Sequence, residues 1–168
     1  FRHEAIAIDP NNSIAYQTED RNDGLIYKFI PFDKQNYFKG GNLQAIKFID
    51  KPGLDTRNWD GVKIELNKKY PIEWINLNNV DSMKDDLRYR AYNQGAAIFA
   101  RPEGMWYSEN EIYFTCTSGG KNKLGQIWKY YINEKCLELF FESHNKDTME
   151  LCDNLTIAPW GDVIICED

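Results

Sequence analysis

An all-β fold follows from three features of the sequence. Aromatic residues make up 14% of the 168 positions, short apolar runs alternate with polar ones, and Asn, Gly, Asp or Pro cuts the runs apart. Such punctuation belongs to strands and tight turns rather than to helices. Ala5-Ile6-Ala7-Ile8-Asp9 meets the turn cluster Pro10-Asn11-Asn12-Ser13, and Ile14-Ala15-Tyr16-Gln17-Thr18 resumes the extended pattern, which predicts a hairpin. Asn22-Asp23-Gly24 turns into Leu25-Ile26-Tyr27-Lys28-Phe29-Ile30, closed by Pro31, and Leu43-Gln44-Ala45-Ile46-Lys47-Phe48-Ile49 completes a set of four antiparallel strands over residues 3–50.

Residues 51–100 read as an insertion. Residues 62–66 predict an extra strand, and residues 82–97 a helix, with Asp81 and Ser82 as N-caps, Asp85 and Asp86 in the first turn and Gly95 near the end. The four-stranded order then returns over residues 102–143: Gly104-Met105-Trp106-Tyr107, Glu111-Ile112-Tyr113-Phe114-Thr115-Cys116-Thr117, Gln126-Ile127-Trp128-Lys129-Tyr130-Tyr131-Ile132 and Leu137-Glu138-Leu139-Phe140-Phe141. Gly24-Leu25-Ile26-Tyr27-Lys28-Phe29 and Gly125-Gln126-Ile127-Trp128-Lys129-Tyr130 share the pattern Gly-x-Ile-aromatic-Lys-aromatic. A third unit over residues 153–168 supplies two strands, Asp153-Asn154-Leu155-Thr156-Ile157 and Val163-Ile164-Ile165-Cys166, joined at Pro159-Trp160-Gly161-Asp162.

Repeated four-stranded units of about 40–50 residues are the signature of β-propeller blades. Roughly two and a half blades fall short of the four or so that closure needs. Residues 1–168 are therefore expected to be part of a single propeller domain, with the rest of the same chain as partner.

Composition narrows the function. With 42% hydrophobic and 27% charged residues the chain has the balance of a folded globular protein rather than a disordered one. Its net charge is −6, and no Lys/Arg run is long enough to track a phosphate backbone, which argues against a nucleic-acid partner. Apolar runs such as Ala96-Ala97-Ile98-Phe99-Ala100 are far shorter than the roughly 18 residues of a membrane span. Cys116, Cys136, Cys152 and Cys166 share no Cys-x-x-Cys spacing, so they are read as buried free thiols rather than a zinc or redox motif. No nucleophile elbow and no Walker loop is present.

The chemistry lies in acids placed alike in the three units: Glu4, Glu103 and Asp153, with Glu19, Thr117 and Glu167 following at a near-constant offset. First strands of propeller blades line the central channel, so these carboxylates are expected to converge at one end. Clustered carboxylates need shared protons or cations, and oxygen-rich ligation suits Ca²⁺, Mg²⁺ or Mn²⁺. The competing reading is that acids at turn starts only close their own turns. Arg101, two residues from Glu103, places a guanidinium fork where it can hold a phosphate beside cations. Lys121 and Lys123 supply further positive charge or merely solvate a turn, and His3 and His144 carry no assigned role.

His3-Glu4-Ala5-Ile6-Ala7-Ile8-Asp9, Thr18-Glu19-Asp20-Arg21, Gly24 to Pro31, Ala100-Arg101-Pro102-Glu103-Gly104, Phe141-Glu142-Ser143, Asp153-Asn154-Leu155 and Cys166-Glu167-Asp168 together resemble the PhoX-type alkaline phosphatases, in order from end to end. The resemblance implies a six-bladed propeller that hydrolyses phosphate monoesters with Ca²⁺ and Fe³⁺, exported to the periplasm or the exterior. It makes Glu4 and Glu103 metal ligands, Arg101 a phosphate contact and, with Glu103, a catalytic residue. Asp153 and Glu167 follow as ligands of the later unit, then Glu19 and Asp20, with Lys121 as a second substrate contact. The iron-binding cysteine of that family lies upstream of its His-Glu motif, and Cys166 is not its counterpart. The alternative is a non-catalytic, calcium-holding extracellular propeller module that acts as a scaffold.

Overall fold

The computed structural model describes all of residues 1–168. Eleven strands and one short helix follow in chain order: β1 His3–Ile8, β2 Ala15–Glu19, β3 Ile26–Pro31, β4 Gly41–Phe48, β5 Lys69–Asn76, α1 Leu87–Tyr92, β6 Pro102–Ser108, β7 Glu111–Cys116, β8 Gln126–Tyr131, β9 Cys136–Glu142, β10 Cys152–Ile157 and β11 Val163–Glu167. The fold is all-β. Strands β1–β4 and β6–β9 are two antiparallel meanders, and β5 joins their outer edges, Ile72–Asn76 pairing with β4 and Lys69–Pro71 with β9. The nine-stranded sheet so formed curls until its terminal strands, β1 and β6, lie side by side. The hairpin β10–β11 packs on β6 and β7.

The repeat seen in the sequence is repeated in the register. In each unit the first residue of the inner strand pairs with the last residue of the second strand: His3 with Glu19, Pro102 with Cys116, Cys152 with Glu167. A bulge follows at once in all three, and Glu4, Glu103 and Asp153 sit in it. Just before the pair, the backbone N–H of Asp20, Thr117 and Asp168 donates to the carbonyl of Arg2, Arg101 and Leu151 at 3.0, 3.0 and 3.1 Å.

Alternation along each strand sends the two faces of a unit to different cores. Between the meanders lie Tyr16, Ile26, Ile46 and Phe48 of the first, and Met105, Phe114, Trp128 and Leu139 of the second. Tyr113, Ile127, Met149 and Leu155 fill the junction of the second meander with the hairpin. The far face of the first meander, Leu25, Tyr27, Leu43 and Ala45, is covered by Leu77, Leu87 and Ala91 of the insertion.

The insertion departs from expectation in two places. Residues 62–66 form no strand, apart from a single bridge from Leu66 to Leu139. The Asn58 side chain accepts from the backbone of Lys63 and Ile64 at 2.9 and 3.2 Å, which ties that segment into a loop. The real fifth strand comes later and carries Pro71, whose missing N–H disguises it as a break. The helix spans only Leu87–Tyr92, and neither Asp81 nor Ser82 caps it. Ser82 Oγ instead closes a turn on Lys84 N at 3.2 Å, while left-handed Gly95 ends the segment and Ala97 N–H already donates to Ile46. The cysteines also divide: Cys116 and Cys152 are buried, Cys136 is half-buried and Cys166, on the outward face of β11, is exposed.

Units approach closely at Gly104, where a Cβ would lie 2.6 Å from Asn154 Cα and 2.8 Å from Asp153 O. Both are backbone atoms that cannot swing aside. Gly104→Ala is therefore expected to cost about 3 kcal/mol in urea unfolding, the scale of an overpacked core site. Lys28 is the other sensitive point of the fold. Burial depresses its pKa to about 8, with Lys135 adding repulsion, and its ammonium lies 4.9 Å from the Trp74 ring. A folded-state pKa below the ordinary 10.5 means that the charge costs stability in full below about pH 8 and ceases to do so as pH rises toward 10.5. Lys28→Met should thus be more stable than the parent at pH 7 by about 1 kcal/mol, with the gap closing in denaturation curves taken at rising pH.

Candidate functional site

The three bulges bring carboxylates to one end of the sheet. A bulge adds a residue that has no ladder partner and re-aims its side chain. Glu103, Asp153 and Asp168 converge so that one oxygen from each lies within 4.8 Å of the others. Glu103 is buried, Asp153 half-buried and Asp168 exposed, so the cluster opens to solvent on the side of the hairpin.

Arg101 stands beside the cluster. Its Nε donates to Asp20 Oδ1 at 2.9 Å and its Nη2 forms an ion pair with Glu103 Oε1. That Oε1 is buried without a well-aligned hydrogen bond. Burial pushes the Glu103 carboxyl well above the usual carboxylate range, as do the hydrogen bond and charge of Asp153, while Arg101 pulls it down. Arg101 itself is fixed at both backbone groups, its N–H on Arg21 O at 2.9 Å and its carbonyl on Thr117 N at 3.0 Å, yet its side chain keeps 34% exposure. Its φ of +48° is unusual for arginine, but Leu151 at the equivalent place has +52°, so this conformation is shared by the entry turns of the second and third units.

The donor set fits a hard cation. It is all oxygen, its buried Glu103 Oε1 meets the Arg101 ion pair but no well-aligned hydrogen bond, and burial together with Asp153 disfavours the charge on Glu103. No cysteine sulfur is among the converging atoms. Cys116 and Cys152 lie buried behind Glu103, and burial pushes both thiols well up.

Of the residues singled out from sequence, Arg101, Glu103 and Asp153 meet, and Asp20 joins them through Arg101. Glu4, the counterpart of Glu103 in the first unit, is exposed and makes no ion pair or hydrogen bond within the chain. Glu19 is fully buried beside the insertion, taking the Tyr27 hydroxyl at 2.7 Å with Arg88 Nη1 3.9 Å away, and burial raises its pKa. Glu167 accepts from Glu150 N at 2.8 Å on the surface. Lys121 is exposed in the β7–β8 turn. Glu19 and Glu167 are true counterparts, but the residue matching them in the second unit is Cys116, not Thr117. Thr117 matches Asp20 and Asp168 instead, and its hydroxyl donates to Cys152 O at 3.1 Å. Asp168 was missed for that reason: the inner hairpins differ in loop length, so a constant offset from the bulged acid selects its neighbour Glu167.

No helix is long and apolar enough to cross a membrane. No curated protein and no solved structure matches the chain. The family model described as alkaline phosphatase PhoX matches residues 1–168, the whole chain. With repeated acidic bulges and an arginine among them, the chain belongs to the PhoX family of alkaline phosphatases.

Proposed function

We propose that the protein is a metal-dependent phosphatase that hydrolyses phosphate monoesters at the cluster of Glu103, Asp153 and Asp168. The observation that carries this reading is the guanidinium of Arg101 set beside three converging carboxylates. Membership of a phosphatase family supports the reaction class. Ca²⁺, when bound by the three carboxylates, supplies positive charge next to the phosphoryl oxygens.

The residues of the chain do the rest. Glu103 is the buried anchor and Asp153 and Asp168 complete the oxygen set from the hairpin. Asp20 orients the guanidinium of Arg101 through Nε, leaving the exposed part of the fork for phosphoryl oxygens. Lys121 supplies a further cation to the ester from the β7–β8 turn. Glu4, Glu19 and Glu167 are ligand candidates by repeat position only. Fe³⁺ as a second metal, the six-bladed propeller and export to the periplasm or exterior rest on the family resemblance, and the rest of that propeller is the expected partner of residues 1–168.

Two measurements test the proposal. Phosphate release from an aryl phosphate should vanish after chelation and return with Ca²⁺, and Glu103→Gln should weaken Ca²⁺ uptake at least tenfold or so, followed by calorimetry. Unchanged rates after metal stripping would sink it, and stoichiometric Ca²⁺ without phosphate release would favour the scaffold module. Arg101→Ala, assayed with Ca²⁺ saturating, should lower kcat/KM by about a hundredfold, the scale of losing one preorganised donor to developing charge, and Arg101→Lys should recover little because it lacks the fork.

A further inference from the structure

Thr18 and Thr115 hold equivalent places, each one residue before the partner of the first residue in its unit's inner strand. Both are fully buried. Each sends its hydroxyl across the boundary to the backbone of the next unit's bulged acid: Thr18 Oγ1 donates to Glu103 O at 2.6 Å, and Thr115 Oγ1 to Asp153 O at 2.9 Å. Thr18 Oγ1 also accepts the Ala5 N–H at 2.9 Å, so one hydroxyl ties the bulge of its own unit to that of the next.

The two bonds are the same device used twice, and they act on the backbone from which two of the three converging carboxylates project. A bulged residue lies outside the ladder, so its carbonyl has no strand partner and must be satisfied by other means. Valine would fill the same volume but could not donate. We propose that Thr18 and Thr115 are positioning residues that set the separation of the Glu103 and Asp153 carboxylates by pinning their main-chain carbonyls. The inference rests on the cation-binding reading of that cluster. Loss of the hydroxyl leaves a buried carbonyl unpaired and lets the bulge turn, so the oxygens no longer meet at the spacing a cation needs. A serine keeps the donor.

The test titrates the full chain with Ca²⁺ alone by calorimetry, and with Tb³⁺ by luminescence, as wild type, Thr18→Val, Thr115→Val and the two serine variants, with urea midpoints alongside. Each valine variant is expected to bind Ca²⁺ about tenfold more weakly, the usual effect of removing a group that orients a ligand, and each serine variant to stay close to wild type. Valine variants that bind like wild type, whatever their urea midpoints, overturn the positioning role and leave the cation reading standing. A wild-type chain that binds neither ion overturns the cation reading and this inference with it. If Thr18→Val does not fold, Thr115→Val against Thr115→Ser decides the matter.

Discussion

The inner strands β1, β6 and β10 stand side by side without forming a ladder between units, and the rest of the structure depends on that contact. A strand at the inner edge of its meander exposes backbone groups that another strand would complete, and pairing of β1 with β6 would close the nine-stranded sheet into a barrel. Here the edge is blunted twice. A bulge breaks the register next to the first pair, and the freed carbonyls of Glu103 and Asp153 are taken by threonine hydroxyls. The units can then pack face against face through their apolar residues, as Ile26 and Trp128 do between the meanders and Ile127 does at the hairpin.

The same bulges explain why acids can gather. A carboxylate in regular register would point into one of the apolar faces, where charge is costly. At the bulge it leaves the alternation and turns to the end of the sheet. Glu19 shows the contrasting solution: it stays in register, is fully buried, and is held by Tyr27 and by Arg88 from α1. An acid embedded in this way keeps its charge only with such partners, so the insertion serves the first unit much as a neighbouring unit serves the second.

Much of this was legible in the sequence. Alternation and turn residues marked ten of the eleven strands, and the shared Gly-x-Ile-aromatic-Lys-aromatic pattern is reproduced in three dimensions, since Ile26 pairs with Thr18 and Ile127 with Thr115. What escaped depended on side chains acting on distant backbone. Asn58 holds residues 63 and 64 in a loop that otherwise reads as a strand. Pro71 hides β5, although Tyr70, Ile72 and Trp74 alternate around it. At the candidate site, Glu103 and Asp153 were marked by the repeat and Arg101 by its place two residues before Glu103, whereas Asp168 required the register, because its spacing from the bulged acid is one residue longer than that of Thr117.

Asp153 and Asp168 flank the same hairpin, a two-stranded sheet, while Glu103 stands on the nine-stranded one. Two-stranded hairpins are marginal by themselves and rely on what they pack against. Any ion shared among the three carboxylates is therefore a fastener between a weak element and a strong one. An ion held by all three would be lost on detachment of β10–β11, so by mass action a higher free-ion concentration would make that opening rarer.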